Sequence, residues 1–441
     1  MKLTFIMPSI GRKEGEKYLK SWQMEPLPIA QLAGLTPSDV ETKFFDDRFD
    51  IINYEEPTDA VAITVETYTA KRAYEIARQY RERGVIVIMG GFHPTLFTEE
   101  VSDHADIIVQ GEAEGIWLEV ISDIKRNSYK KIYRSATRPS LNNIRPNREI
   151  FKGKKYLPIS LVESGRGCRF ACNFCSVTTF YNHTYNARPV KEVIQEIKDL
   201  KKKFIFIVDD NIFADINRSK ELFRELAKLN INWVGQVSIN IVDDEKMLDL
   251  MKKSGCLGVL IGFESLNKKN LAQMNKGWNQ AVIDYDKALK KIRDKGFVIY
   301  ASFVFGYDED DDDETFQKTL KFALKQKFFI IASNHLVPFP GTPLYEKFKS
   351  EGRLVSEKWW LRDGYSFGDV VFHPKKMTAE ELTMACYNFR KEFYSIKNIF
   401  KRSLDLKANC RSLKLAVYFF YLNFLFRKEI NKRKGIPLGK K

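Results

Sequence analysis

Short apolar runs alternate with segments of helical spacing along most of the chain. Before residue 128, the runs 2–8, 40–47, 60–67, 85–91 and 105–111 are rich in Val, Ile and Phe and read as five buried strands. Segments 28–35, 70–84 and 93–104 lie between them, and 114–127 follows the fifth, each with helical periodicity. This alternation predicts a doubly wound parallel α/β sheet, whose ligands bind at the carboxyl ends of the strands. A polar stretch containing Pro139 and Pro146 reads as a linker. A second series follows, with strands at 157–163, 204–210, 232–239, 256–264, 298–306 and 328–337. Its helices fall at 190–203, 219–229, 244–255, 280–296 and 315–326. Six strand–helix repeats predict a partial (βα)6 barrel that again works at its carboxyl-end loops. The chain thus divides into 1–128, a linker 129–155, the barrel 156–346, an accessory region 347–400 and a tail 401–441.

Cysteine usage sharpens this picture. Six cysteines in 441 residues are too few for a disulfide scaffold. No secretory leader is expected, because Pro8 ends the first apolar run, so the thiols are expected to serve metals or catalysis in a reducing cytoplasm. Half of them, Cys168, Cys172 and Cys175, stand at Cys-x3-Cys-x2-Cys spacing just after the first barrel strand. Structural zinc takes four ligands, usually in two separated pairs, and no fourth Cys or His follows before His183. A four-iron cube held by three thiolates leaves one iron open to a small molecule. Cys256, Cys386 and Cys410 read as separate thiols.

The stretch 163–177, with Phe174 ahead of its last cysteine, resembles the signature of radical S-adenosylmethionine (SAM) enzymes. The resemblance implies that Cys168, Cys172 and Cys175 hold a [4Fe-4S] cluster whose open iron is chelated by the amino and carboxylate groups of SAM. One electron then cleaves SAM to methionine and a 5′-deoxyadenosyl radical, which abstracts hydrogen from the substrate. It also implies SAM contacts further along the barrel. Asp209, Asp210 and Asn211 align with groups that hold the SAM amino end, as acids where Gly-Gly-Glu is commoner. Gln236, Ser238 and Asn240 alternate and are expected on one strand face. Gly262, Glu264 and Ser265 match the strand lining the ribose and adenine, Gly262 by admitting close backbone approach and Glu264 as a hydroxyl acceptor. No residue is assigned as a catalytic acid or base. His335 and the turn that follows it read as structural.

The front domain lacks the Gly-x-Gly-x-x-Gly that a nicotinamide-binding domain carries after its first strand. Its segments 7–11, 63–69, 88–95 and 109–117 resemble the flavodoxin-like cobalamin-binding domain fused before the barrel in one radical SAM class. The resemblance implies that the benzimidazole tail of cobalamin lies along the sheet's carboxyl edge while the corrin faces the barrel. Ser9, Thr64 and Thr67 are then the hydroxyl partners, and Gly90 and Gly91 allow close approach. The Asp-x-His-x-x-Gly that supplies cobalt with histidine in cobalamin mutases is absent. His93 is the substitute to weigh, with a loop role favoured over ligation.

Charge matters mainly at the end of the chain. Residues 396–441 carry +11 of the net +15. The apolar run 413–426 is shorter than the ~20 residues that span a bilayer. With its basic flanks, 407–434 suits an interfacial helix on the inner face of an anionic membrane, against the plainer reading of a helix packed on the body. An RNA-binding arm is disfavoured, because the aromatics are blocked together rather than interleaved with cations. The helix expected at 377–396 would close over the barrel mouth. Trp359 and Trp360 either line a substrate entrance or belong to the core. The acidic run 308–314 reads as solvated. The function expected is C-methylation of an unactivated carbon in a hydrophobic or lipid-like small molecule, with an unidentified electron donor. The alternatives are radical cyclisation or rearrangement without methyl transfer, and a thiolate-metal protein with an RNA-binding tail.

Overall fold

The computed structural model describes residues 1–277, 284–309 and 313–440. Its first sheet has six parallel strands: β1 Lys2–Met7, β2 Glu41–Asp46, β3 Ala60–Thr64, β4 Ile86–Gly90, β5 Ile107–Gln110 and β6 Ile132–Arg134. Their order is β2-β1-β3-β4-β5-β6, so the winding reverses between β1 and β3. Side chains alternate across the sheet: Leu3 and Phe5 enter one core layer and Ile6 the other. The strand β6 comes from the segment expected to be a linker. Only Tyr133 of its three residues is buried, and lysines precede it, so no apolar run announces it.

The second sheet is the partial barrel. It runs β7 Ser160–Val162, β10 Phe204–Ile207, β11 Asn232–Val237, β12 Cys256–Glu264, β13 Val298–Phe305 and β14 Ile330–His335, each parallel to its neighbour. A short hairpin, β8 Gly165–Gly167 with β9 Tyr185–Ala187, stands apart from it. In β13, Ile299, Ala301, Phe303 and Phe305 are buried in the main core, while Val298, Tyr300, Ser302 and Val304 are half-buried on the concave face. The helix expected at 280–296 is seen as Tyr285–Asp294, with 280–283 outside the described residues. Residues 310–312 of the acidic run are likewise outside them.

An incomplete barrel leaves the edge of its last strand open, and unpaired strand edges invite wrong partners. Here side chains of the helix Ala379–Phe393 and its end cover it. Tyr394 Oη accepts from Ile331 N at 3.1 Å and donates to Ile331 O at 3.0 Å, and Arg390 Nη1 donates to Ser333 O at 2.6 Å. That helix starts with the capping box Thr378/Glu381. It runs beside β14 instead of closing the mouth.

The tail folds back as well. The helix Leu413–Arg433 buries Leu415 and Phe419 against Ile330, Val298 and Tyr300, and Tyr418 stacks on Phe204 of β10. It therefore crosses the concave face, which accounts for Leu415 and Phe419, while Val417, Tyr421 and Phe424 stay exposed on its other sides. Beyond it, β16 Ile436–Pro437 pairs with β15 Ser366–Phe367, and the backbone bonds to the loop after β1 (Arg12 N to Lys440 O, 2.9 Å). Gly11 is required there: a Cβ would sit 2.0 Å from Pro437 O. Among the described residues no helix is long and apolar enough to cross a membrane.

Trp359 and Trp360 are core residues, not an entrance. Trp360 Nε1 donates to Glu100 Oε1 at 2.9 Å, Tyr74 donates to the same oxygen at 2.8 Å, and His93 Nε2 lies 3.2 Å away. Burial alone would raise this carboxyl, but the hydrogen bonds from His93, Trp360 and Tyr74 hold it down at about 2. The network ties the accessory region to the front domain. Its stabilisation is present above the ordinary carboxylate range and is lost as pH falls toward about 2. Glu100→Ala is expected to cost about 2–4 kcal/mol in urea unfolding, because it strands a buried hydroxyl and a buried indole N–H.

Candidate active site

The cysteine loop leaves the barrel at the carboxyl end of β7, passes through β8 and ends at the helix Ser176–Phe180, which Cys175 precedes. Gly167 gives the tight path into Cys168: its φ is +90°, and a Cβ would lie 2.2 Å from Thr184 O. Asp209 and Asp210, at the end of β10, hold this path. Ser164 donates to Asp209 through N–H (2.7 Å) and Oγ (2.6 Å), and Gly167 N–H donates to Asp210 Oδ2 at 2.7 Å. Asp209 is thus a positioning residue whose two oxygens are engaged within the protein. Asn211 lies within hydrogen-bonding reach of Cys168.

Burial pushes the Asp209 carboxyl up to about 6, although the Ser164 donors and Arg218 favour the charged form. The fold therefore keeps a proton that the unfolded chain has lost. Stability should fall as pH rises from the ordinary aspartate range to about 6, by about 2–3 kcal/mol, and level off above it. Urea unfolding across that window should show a flatter profile for Asp209→Asn.

The far side of the loop is fastened by residues that sequence reading missed. Asn173 N–H donates to Met274 O (3.1 Å) and its Nδ2 to Gln273 O (2.6 Å), while Asn275 Nδ2 donates to Ala171 O (2.8 Å). Next to them, buried Lys276 donates to Glu264 Oε1 at 2.6 Å and to Gly262 O at 3.0 Å. Glu264 follows an irregularity in the β12–β13 pairing and sits at φ +61°, a left-handed conformation uncommon for Glu. The expected SAM-lining residues Gly262 and Glu264 are therefore brought together, with an ammonium added. Ser265 is buried, and its Oγ accepts from Asn267 N–H. Gln236 is exposed at the end of β11. The strand stops at Val237, so Ser238 and Asn240 enter a 3-10 turn and do not share its face.

Burial raises all three thiols, Cys172 to about 12, with Lys276 opposing the rise at Cys172. A metal must displace those protons. Among the described residues no group of three or more His, Cys, Asp or Glu converges as one metal ion requires. Three thiols at this spacing on one loop fit a cluster that takes three thiolates and leaves one position open.

Two cavities adjoin the loop. One, of about 220 Å³, lies at the carboxyl edge of the first sheet. Thr64, Gly90, Gly91 and Glu66 line it on one side, and Glu163, Arg166 and Phe180 of the barrel on the other. Gly91 has φ +113°, and a Cβ there would come within 2.9 Å of Val65 O. At Gly111, in the same wall, a Cβ would meet nothing within 4 Å, leaving a cradle open to a ligand. With Ile29, Leu32 and Ala62 as apolar walls, this slot fits the flat tail of cobalamin. Ser9 and Thr67 do not line it. Ser9 donates to Asp47, and Thr67 Oγ1 lies 3.3 Å from His93 Nδ1. His93 lies in the short helix Phe92–Leu96, not in a loop, and both its nitrogens are engaged, by Thr67 and by Tyr74 with Glu100, which favours a structural role over cobalt ligation.

The second cavity, of about 450 Å³, lies between β13, β14 and the accessory region and reaches Phe174. Ion pairs bind the two halves of the site: Arg166 meets Glu114 (2.7 Å) and Glu112 (3.4 Å) of the front domain and Glu163 (2.6 Å) of the barrel.

Residues 162–323 match the family model of the radical SAM superfamily. The fold is similar to that of the radical SAM methyltransferase TsrM from Kitasatospora setae, solved with cobalamin and a [4Fe-4S] cluster bound. That similarity has a TM-score of 0.64 at 15% identity, over 89% of this chain and 81% of that one. A bacteriochlorophyllide d C-12(1)-methyltransferase of Chlorobaculum tepidum is 31% identical over 424 residues, which cover 92% of this chain and 89% of the relative. The chain belongs to the cobalamin-dependent radical SAM enzymes. An anaerobic magnesium-protoporphyrin IX monomethyl ester cyclase of Rubrivivax gelatinosus is also similar, at 27% identity over 75% of this radical SAM enzyme and 64% of the cyclase.

Proposed function

We propose that this enzyme C-methylates an unactivated carbon of a hydrophobic small molecule. The observation that carries the reading is the meeting of two sites. The cavity suited to cobalamin opens on Glu163, Arg166 and Phe180, which flank the loop of Cys168, Cys172 and Cys175. When bound, the cluster with SAM supplies a hydrogen-abstracting radical, and cobalamin supplies a methyl group. The protein's part is placement and shielding. Asp209, Asp210, Asn173 and Asn275 fix the path of the cysteine loop. Lys276 and Glu264 set a buried charge pair beside it, and the second cavity keeps the substrate out of water.

The test is anaerobic reconstitution with cobalamin, a reductant and SAM carrying a labelled methyl group, presented with candidate hydrophobic substrates. Label in the product supports methylation. Formation of 5′-deoxyadenosine and a product without label would transfer the assignment to cyclisation or rearrangement, the reading that the similarity to the cyclase supports. Recovery of zinc without SAM cleavage would sink both.

We also propose peripheral membrane contact around residues 404–417. Leu404, Leu406 and Leu413 are 70%, 73% and 84% exposed there, beside Lys401, Lys407, Arg411 and Lys414. Apolar side chains ringed by cations complement an anionic bilayer surface. Cosedimentation with anionic but not zwitterionic vesicles is expected, and Leu406→Glu with Leu413→Glu should weaken it.

A further inference from the structure

The larger cavity has two chemically different ends. Toward the cysteine loop it is aromatic, with Phe174, Phe339 and Tyr68. Toward the tail it is cationic, with Arg390, Arg433 and Lys434. Arg390 donates to the Ser333 carbonyl, and Lys434 Nζ lies 3.2 Å from the Met384 sulfur. Neither cation has a carboxylate within 4.0 Å among the described residues.

Arg433 is only partly satisfied. Its Nη2 donates to Ser21 Oγ at 2.9 Å and pairs with buried Glu429 at 3.5 Å, and its guanidinium lies over the rings of Trp22 and Phe426. Arg433 Nε and Ser333 Oγ, both of the cavity wall, are buried without a hydrogen-bond partner. The charges of Arg390 and Arg433 oppose each other across this end. Asp369 is the one carboxylate of the lining, and it faces Lys434; His335 is held by the Leu336 carbonyl at 2.8 Å. Glu429 serves Arg433 but not Arg390, and two neighbouring guanidinium groups held half out of water with one carboxylate between them are costly unless a second anion completes them. Guanidinium also matches the geometry of an oxyanion.

We infer that this cavity takes an amphipathic substrate whose apolar body lies among the aromatic side chains and whose oxyanion, a carboxylate or a phosphate, is seated by Arg390 and Arg433. The inference rests on the reading of this cavity as the substrate site, and it names the chemical class of that substrate.

The test is a fluorescence titration of the chain reconstituted with cluster and cobalamin. The probes are anilinonaphthalenesulfonate and its uncharged counterpart, phenylnaphthylamine. The anionic dye should bind about tenfold more tightly, the scale of one charge-assisted contact. Arg390→Gln should erase that preference without weakening the neutral dye, and Arg390→Lys, which keeps the charge, should retain most of it. Ala332→Trp, which fills the cavity, should weaken both dyes. Displacement by dodecanoate or by dodecyl phosphate then tells which oxyanion is preferred, while dodecanol should displace poorly. Equal binding of the two dyes, an unchanged preference in Arg390→Gln, or full binding by Ala332→Trp would each overturn the inference. Cluster absorption and cobalamin content are recorded for every variant, and SAM cleavage and methyl transfer are assayed separately. A chain that binds dyes as expected but transfers no methyl group would therefore count against the methylation reading alone.

Discussion

Cys168→Ala, Cys172→Ala and Cys175→Ala are each expected to lose cluster assembly and to lower reductive SAM cleavage to background. The loss should be total because each thiolate occupies one corner of a four-cornered cluster whose fourth corner must stay open. Two protein ligands would leave two irons exposed, and the neighbouring acids are already engaged, Asp210 by Gly167 N–H and Glu264 by Lys276. The fold should survive. The loop is held through the Asn173 and Asn275 amides and by the donors to Asp209 and Asp210, none of which uses a sulfur atom. Cys256→Ser, Cys386→Ser and Cys410→Ser should keep the cluster. Cys256, for example, is buried in β12 with its thiol directed at the Gly258 carbonyl. Visible absorption after anaerobic reconstitution and 5′-deoxyadenosine release measure both effects. Retained cleavage in any of the three alanine variants would remove the assignment.

Why were the cysteines legible in the sequence when their supports were not? Cys-x3-Cys-x2-Cys is a local pattern, and the strands around it are apolar runs that alternation exposes. Lys276 reaches the loop from about 100 positions away, after a short helix with no marked spacing, and Asn173 and Asn275 look like ordinary loop amides. Their roles come from long-range packing that no window along the chain contains. Residue type alone also said little at Ser9 and Thr67. Both carry hydroxyls near the expected edge, but Asp47 and His93 already engage them. The tail stayed ambiguous because its helix packs on the concave barrel face on one side and leaves Val417, Tyr421 and Phe424 exposed on the other. The sequence alone does not tell a helix packed on the body from one that also meets a membrane surface.

Arg166→Met should produce the largest loss of stability, about 3–5 kcal/mol, the scale for removing one partner of a buried ion cluster. The guanidinium stands between Glu112 and Glu114 of the front domain and Glu163 of the barrel. Arg138 still serves Glu112, through contacts of 2.6 and 3.0 Å, so the uncompensated charges would be Glu114 and Glu163. Two carboxylates buried without that cation keep their desolvation cost and lose the attraction that offsets it. Adding Glu114→Gln and Glu163→Gln to Arg166→Met should recover most of the stability, because a neutral, well-packed cluster avoids the desolvation that the ion cluster offsets. Recovery of stability need not restore the alignment of the domains. Arg166 lines the cavity between them, directly beside the cysteine loop. If its charges hold that cavity in register, the triple variant will unfold like the parent yet retain less cobalamin. If it retains cobalamin fully, the ion cluster serves stability alone.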